Sequence, residues 1–111
     1  MEILSHPSYT ISADRNGGST TYTVGFGSEP ASNAELTAIA SKATYNLPSE
    51  LHGTVALLTG KASLPVSYAL AHNLSHYHKA IGVYDPKLAA FVVAISHDKQ
   101  YPLGSLIQCE S

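Results

Sequence analysis

Two runs near the start of the chain alternate apolar and polar positions. YTISADR, 9–15, and TTYTVGFG, 20–27, are rich in Thr, Tyr and Val and are joined by NGGS, so they are expected to pair as an antiparallel hairpin. The period then changes. From Asn33 to about Tyr45, Leu36, Ile39, Ala40 and Ala43 recur at helical spacing, with Ser32 or Asn33 as N-cap and Pro48 beyond the end. TVALLTG, 54–60, is continuously apolar up to its glycine, the signature of a strand covered on both faces in a parallel sheet. A second helix is expected after Ser63 and Pro65, with Val66, Leu70, Leu74 and Tyr77 as its core-facing stripe. AIGVY, 80–84, and FVVAISH, 91–97, read as strands separated by DPKLAA, and LIQC, 106–109, as a short final strand. The order ββαβαββ(β) implies a small α/β or α+β domain with a mixed sheet, an N-terminal hairpin and two main helices.

Composition narrows this picture. With 111 residues the chain suits one domain, 1–111, built on a single core. Hydrophobic residues make up 44% and charged ones 13%, which favours a well-buried globule that hides some surface in an oligomer. A net charge of -2 and a pI near 6.3 argue against a broad basic face that tracks long nucleic acid. Cys109 is the single cysteine, so an intramolecular disulfide and a cysteine-based zinc site are excluded, and the compartment reads as cytoplasmic. AAFVVAI, 89–95, is far shorter than the roughly 20 residues that span a bilayer, and MEILSHPSYT does not read as a signal peptide.

The candidate chemistry crowds into LAHNLSHYHKAIGVYDPK, 70–87, which holds three of the six histidines. His72 and His76, four apart, would project from neighbouring helical positions away from the Val66/Leu70/Leu74 stripe. They are either half of a metal shell or surface histidines favoured by the helix C-terminus. His78 is expected in a solvated loop. Asp85 ends a strand before Pro86 and is either a turn former or, if its strand is parallel, a ligand-binding carboxylate with Lys87 beside it for an anion. His97, next to Asp98, also follows a strand. A hairpin through DPKLAA would put Asp85 and His97 at opposite ends, so that any shared ligand would need a second subunit. LLTGKASLP, 57–65, offers a glycine, a lysine and a serine between a strand and a helix, either an ordinary capped turn or a phosphate-binding one. It is not a P-loop, because Gly53 lies seven residues before Gly60 and Ala62 follows Lys61.

LAHNLSHYH, then VYDPKLAAFVVAISH, then YPLGSLI resemble, in order and spacing, the small CRISPR-associated ring nucleases of the third type. These are compact members of the CRISPR-associated Rossmann-fold superfamily. The likeness covers residues 57–107 and extends to the N-terminal half through its hairpin–helix order. Its most specific part is D-P-K-L followed by the V-V-x-x-S-H strand. One residue is inserted around SHYHK, and Ser105 stands where many relatives carry an acidic residue.

The resemblance implies a Rossmann-like domain and a manganese-dependent phosphodiesterase. Such an enzyme binds and cleaves cyclic tetra-adenylate, the second messenger of type III CRISPR antiviral signalling. It implies a homodimer, with two dimers sandwiching the ring as a tetramer or filament. Carried over, His76, Asp85, Lys87 and His97 are the catalytic positions, and Asp85 and His76 the Mn2+ ligands. Thr59, Gly60, Lys61, Ala62 and Ser63 form the ligand-binding turn, joined by His72. No membrane and no long nucleic acid are expected as partners. Two rivals use the same loops: a non-catalytic cyclic-oligoadenylate sensor, and a manganese-dependent 3′ exonuclease on adenylate-rich RNA.

Overall fold

The computed structural model describes residues 2–42, 49–61 and 63–108. The expected hairpin is β2 (Tyr9–Asn16) and β3 (Ser19–Phe26), antiparallel in register from Tyr9↔Phe26 to Asn16↔Ser19. Gly17, at φ 62°, supplies the left-handed residue that so short a connection requires. A further strand, β1 (Glu2–His6), precedes them and pairs antiparallel with β2. Its sequence does not announce it, because five residues with a bulge between Glu2 and Leu4 carry too little alternation. Its turn is closed by the Ser8 N–H donating to His6 Nδ1 at 3.0 Å.

Helix α1 (Asn33–Lys42) starts at a capping box. The Glu35 N–H donates to Ser32 Oγ at 3.2 Å, and the Ser32 hydroxyl reaches Glu35 Oε1 at 3.1 Å. The continuation expected toward Tyr45 and Pro48, including Ala43, lies outside the described residues. A 3-10 turn, Ser49–Leu51, leads to β4 (Val55–Gly60), and α2 (Leu64–Leu74) follows with Ser63 as N-cap. Val66, Leu70 and Leu74 are buried as their spacing requires. Tyr77 is not part of this stripe. The helix ends at Leu74, and Tyr77, 42% exposed, lies beyond the cap with its ring 5.1 Å from that of His52.

The chain closes with β5 (Ala80–Asp85), β6 (Ala90–Ser96) and β7 (Leu106–Gln108). Cys109, expected at the end of the last strand, lies outside the described residues. The strands form one mixed sheet in the order β1 to β7, with β3, β4 and β5 parallel and the other pairs antiparallel. The order never reverses. Two crossovers that step the same way across a sheet, both right-handed, put their helices on one face. Leu36 and Ala40 of α1 and Val66, Leu70 and Leu74 of α2 accordingly share one buried cluster with Tyr9, Tyr22, Leu58 and Ile81.

On the other face, Val55, Leu57, Ala80, Phe91 and Val93 form a smaller cluster, backed by Tyr101 and Ile107 and, among the described residues, by no helix. The alternate residues of β4 thus enter two different cores, which is why its sequence is apolar without a break. The result is a compact α/β domain with a mixed sheet and two helices on one side. No described helix is long and apolar enough to cross a membrane.

Candidate functional site

Because β3, β4 and β5 run parallel, their carboxyl ends share one end of the sheet. There β4 leaves through Thr59 and Gly60. Gly60 has φ 103°, and a Cβ on it would stand 2.6 Å from Val24 N and nearer still to the Val24 carbonyl oxygen. Only glycine lets the chain turn this close to β3.

The turn is less open to a ligand than its composition suggests. The Lys61 N–H is donated inward to the Val24 carbonyl at 2.8 Å, and Ser63 Oγ accepts from the Val66 N–H at 3.4 Å. Pro65 has no N–H to offer. Ala62 lies outside the described residues. Among the described residues of this turn, Gly60 and Lys61 are exposed.

Beside it, Asp85 ends β5. Its Oδ1 accepts the N–H groups of Lys87 at 2.8 Å and Leu88 at 3.3 Å, so the carboxylate organises the Pro86–Ala89 turn. Among the described residues, nothing bonds Oδ2. Lys87 is exposed. A cleft of about 460 Å³ runs between the two turns, lined by Thr59, Gly60, Leu64, Ser67, Tyr84 and Pro86 among others. A second, of about 330 Å³, opens on the helix-free face, and Thr59 and Tyr84 border both.

The candidate histidines His72, His76 and His97 lie toward the other end. His72 is exposed in the last turn of α2, and His76, also exposed, follows the helix, the two rings 5.3 Å apart and edge to face. His72 is nine residues from Ser63, roughly 13 Å along a helix, so it is not brought to the Thr59–Ser63 turn. β5 and β6 form the hairpin: Asp85 pairs with Ala90, and Ala80 with Ser96. His97 donates its N–H to the Lys79 carbonyl at 2.8 Å and is exposed at the start of β5. One chain therefore brings His76 and His97 to one end of the sheet, and Asp85, Lys87, Thr59, Gly60, Lys61 and Ser63 to the other. The ends are separated by about 17 Å of extended strand.

His78 differs from the expectation of a solvated loop. It is 5% exposed, its Nε2 is 2.7 Å from Tyr22 Oη, and its Nδ1 lies 3.1 Å from the Thr54 carbonyl and 3.2 Å from Thr54 Oγ1. A carbonyl only accepts, so Nδ1 carries the proton and Nε2 accepts the tyrosine hydroxyl. The Thr54 hydroxyl donates to the Leu51 carbonyl at 2.8 Å and accepts from Thr20 Oγ1 at 2.7 Å. Burial lowers the His78 pKa; the Thr54 backbone hydrogen bond offsets part of this, and His52 adds to the lowering. Burial also raises that of Tyr22. The signal for this network was in TTYTVGFG: alternation puts Thr20 and Tyr22 on the core face, and a buried hydroxyl requires a partner.

Among the described residues, no three His, Asp or Glu side chains converge on a common point. A single chain thus does not fit a resident manganese ion, since Asp85 and His76 stand at opposite ends of β5. Two copies could supply one carboxylate oxygen and one imidazole to a shared position, a donor pair suited to Mn2+.

Against models of known families, residues 36–108 match the one described as a CRISPR-associated protein, Cas_csx3. The match contains every candidate residue at both ends and leaves out β1 to β3. A comparison with curated proteins gives no match.

Proposed function

The chain belongs to the Cas_csx3 family of CRISPR-associated proteins, and from that premise we propose that it is a ring nuclease that cleaves cyclic tetra-adenylate in the cytoplasm and so switches off type III CRISPR signalling. The observation that carries the reading is the division of the candidate residues between the two ends of β5. A ligand gripped by copies facing each other meets both sets; that these copies are two dimers with the ring between them is what the family resemblance adds to this reading. The Rossmann-like assignment belongs to the same reading; it rests on the parallel β3–β4–β5 unit and its two crossovers.

On this reading the carboxyl end binds. Lys61 and Lys87 offset phosphate charge, and the cleft beside Tyr84 takes the less polar parts of the nucleotide. The histidine end of another copy moves protons: His76 and His97 carry imidazoles, each with one ring nitrogen to accept a proton and one to donate it. Asp85 Oδ2 and a partner copy's imidazole would hold Mn2+, which when bound supplies Lewis-acid stabilisation of charge on the phosphate. Asp85 Oδ1 stays with its turn, so the carboxylate keeps one fixed orientation.

One observation favours a second reading. Asp85 is already engaged as a turn former, with its Oδ1 holding the Lys87 and Leu88 N–H groups, as suits a non-catalytic sensor that binds the ring and answers by assembling. Incubation with cyclic tetra-adenylate and with linear oligoadenylate, each with and without Mn2+, separates the readings. Mn2+-dependent loss of the ring supports the nuclease, binding without cleavage the sensor. Preference for linear RNA supports the exonuclease.

A further inference from the structure

We infer that His78 is a positioning residue: its buried side chain fixes the Ser75–Lys79 connection and thereby sets where His76 and His97 stand. The kinetic part of this inference rests on the ring-nuclease reading; the structural part does not.

The connection between α2 and β5 has no regular structure, and exposed connections of this kind are ordinarily among the most mobile parts of a fold. Here it is gripped from inside. The Gly53 N–H donates to the Tyr77 carbonyl at 2.8 Å, and the Lys79 N–H to the Thr54 carbonyl at 3.2 Å. Between these two backbone bonds the His78 ring is held on both nitrogens, by Thr54 at the entrance to β4 and by Tyr22 of β3. The Tyr22 ring meets it edge to face at 5.4 Å between centroids. Thr20 fixes the Thr54 hydroxyl in turn. The grip therefore reaches two strands, and no part of it can turn without leaving a buried polar atom unpaired.

Both exposed histidines hang from this segment. His76 is two residues before His78, and the His97 N–H is bonded to the carbonyl of Lys79, the residue after it. A buried side chain that touches no ligand thus sets two that would. Groups acting on a reacting phosphate lose about a hundredfold in rate for a displacement near 1 Å, whereas a binding surface at the far end of the sheet is untouched by it.

The test uses the full chain with Tyr22→Phe, which keeps the ring and removes the hydroxyl, beside His78→Gln and His78→Leu. Assays run well below each variant's melting temperature. With cyclic tetra-adenylate, Tyr22→Phe and His78→Leu should lower kcat about tenfold or more with KM within about twofold of the parent, and His78→Gln should fall less than His78→Leu. In amide hydrogen exchange, the N–H groups of Gly53, Lys79 and His97 should exchange faster in Tyr22→Phe, and that of Lys61, at the other end, at its former rate. A kcat unchanged in folded Tyr22→Phe and His78→Leu, or exchange faster equally at both ends, overturns the inference. If the parent protein binds the ring and does not cleave it, the nuclease reading falls and the exchange pattern alone decides: faster exchange confined to the histidine end upholds the grip, and unchanged exchange there overturns it.

Discussion

Asp85 and His97 stand at opposite ends of one antiparallel pair, Asp85 facing Ala90 at the turn and His97 bonded through its N–H to Lys79 where β5 begins. The same hairpin that makes the sheet continuous keeps these two groups from meeting on one ligand within one chain.

Asp85→Ala should separate binding from turnover. Lys61 and the Gly60 turn remain in place, although the turn that carries Lys87 loses its Asp85 acceptor, so affinity for cyclic tetra-adenylate should change by less than about tenfold, while Mn2+-dependent cleavage falls by about a hundredfold or more. Equilibrium binding and single-turnover assays on the same preparation measure both. Unchanged cleavage contradicts the role given to this carboxylate.

Lys61→Ala and Lys87→Ala should each weaken ring binding several-fold at low salt and lower the slope of log affinity against log salt by about 0.7. Both side chains are exposed, so the melting temperature should stay where it is. Titrations at several salt concentrations decide this, and a slope unaltered in both variants removes the lysines from the phosphate site.

Gly60→Ala and Gly17→Ala form a matched pair. Both glycines have positive φ, 103° and 62°, but a Cβ at Gly17 meets nothing within 4 Å whereas one at Gly60 collides with the Val24 backbone. Gly17→Ala should cost about 1 kcal/mol, and Gly60→Ala at least roughly 2 kcal/mol more. Urea unfolding curves give both values.

Stability should fall in mild acid because of His78. Its pKa in the fold lies below the usual 6.5, so above about pH 6.5 the ring is neutral in both the folded and the unfolded chain. As the pH falls through that value the unfolded chain takes up a proton that the buried ring resists, and stability is lost from there downward. The urea midpoint should therefore drop between pH 7.5 and 5.5, and His78→Gln should flatten the drop.

Much of this fold was legible in the chain. NGGS between two Thr- and Tyr-rich runs specified the hairpin, and Ser32, one of two N-cap candidates with Asn33, marked the start of α1, whereas its Glu35 partner was not read from the sequence. The unbroken apolar run of β4 announced a strand covered on both sides. β1 was not legible, since an edge strand of five residues is held by ladder hydrogen bonds rather than by periodicity. Tyr77 was misread because its spacing fits a helix that in fact stops three residues earlier, at Leu74.

At the site, Asp85, Lys87 and the Gly60 turn could be placed because strand direction follows from the order of elements. The inward donation of the Lys61 N–H could not, because it depends on how closely β3 approaches Gly60. Alternation in TTYTVGFG signalled that the buried Thr20 and Tyr22 hydroxyls need partners, but not that His78 is one of them, because it lies 24 and 56 positions from Thr54 and Tyr22 in sequence.

The central proposal is that the site is completed between copies, and mixing two inactive variants tests it most directly. His76→Ala and Asp85→Ala should each be inactive alone. If His76 of one copy works with Asp85 of another, mixing them under subunit exchange should restore cleavage of cyclic tetra-adenylate in about a quarter of the sites, those formed by the two intact partners. A mixture as inactive as its components, although exchange is demonstrated with labelled chains, would contradict it.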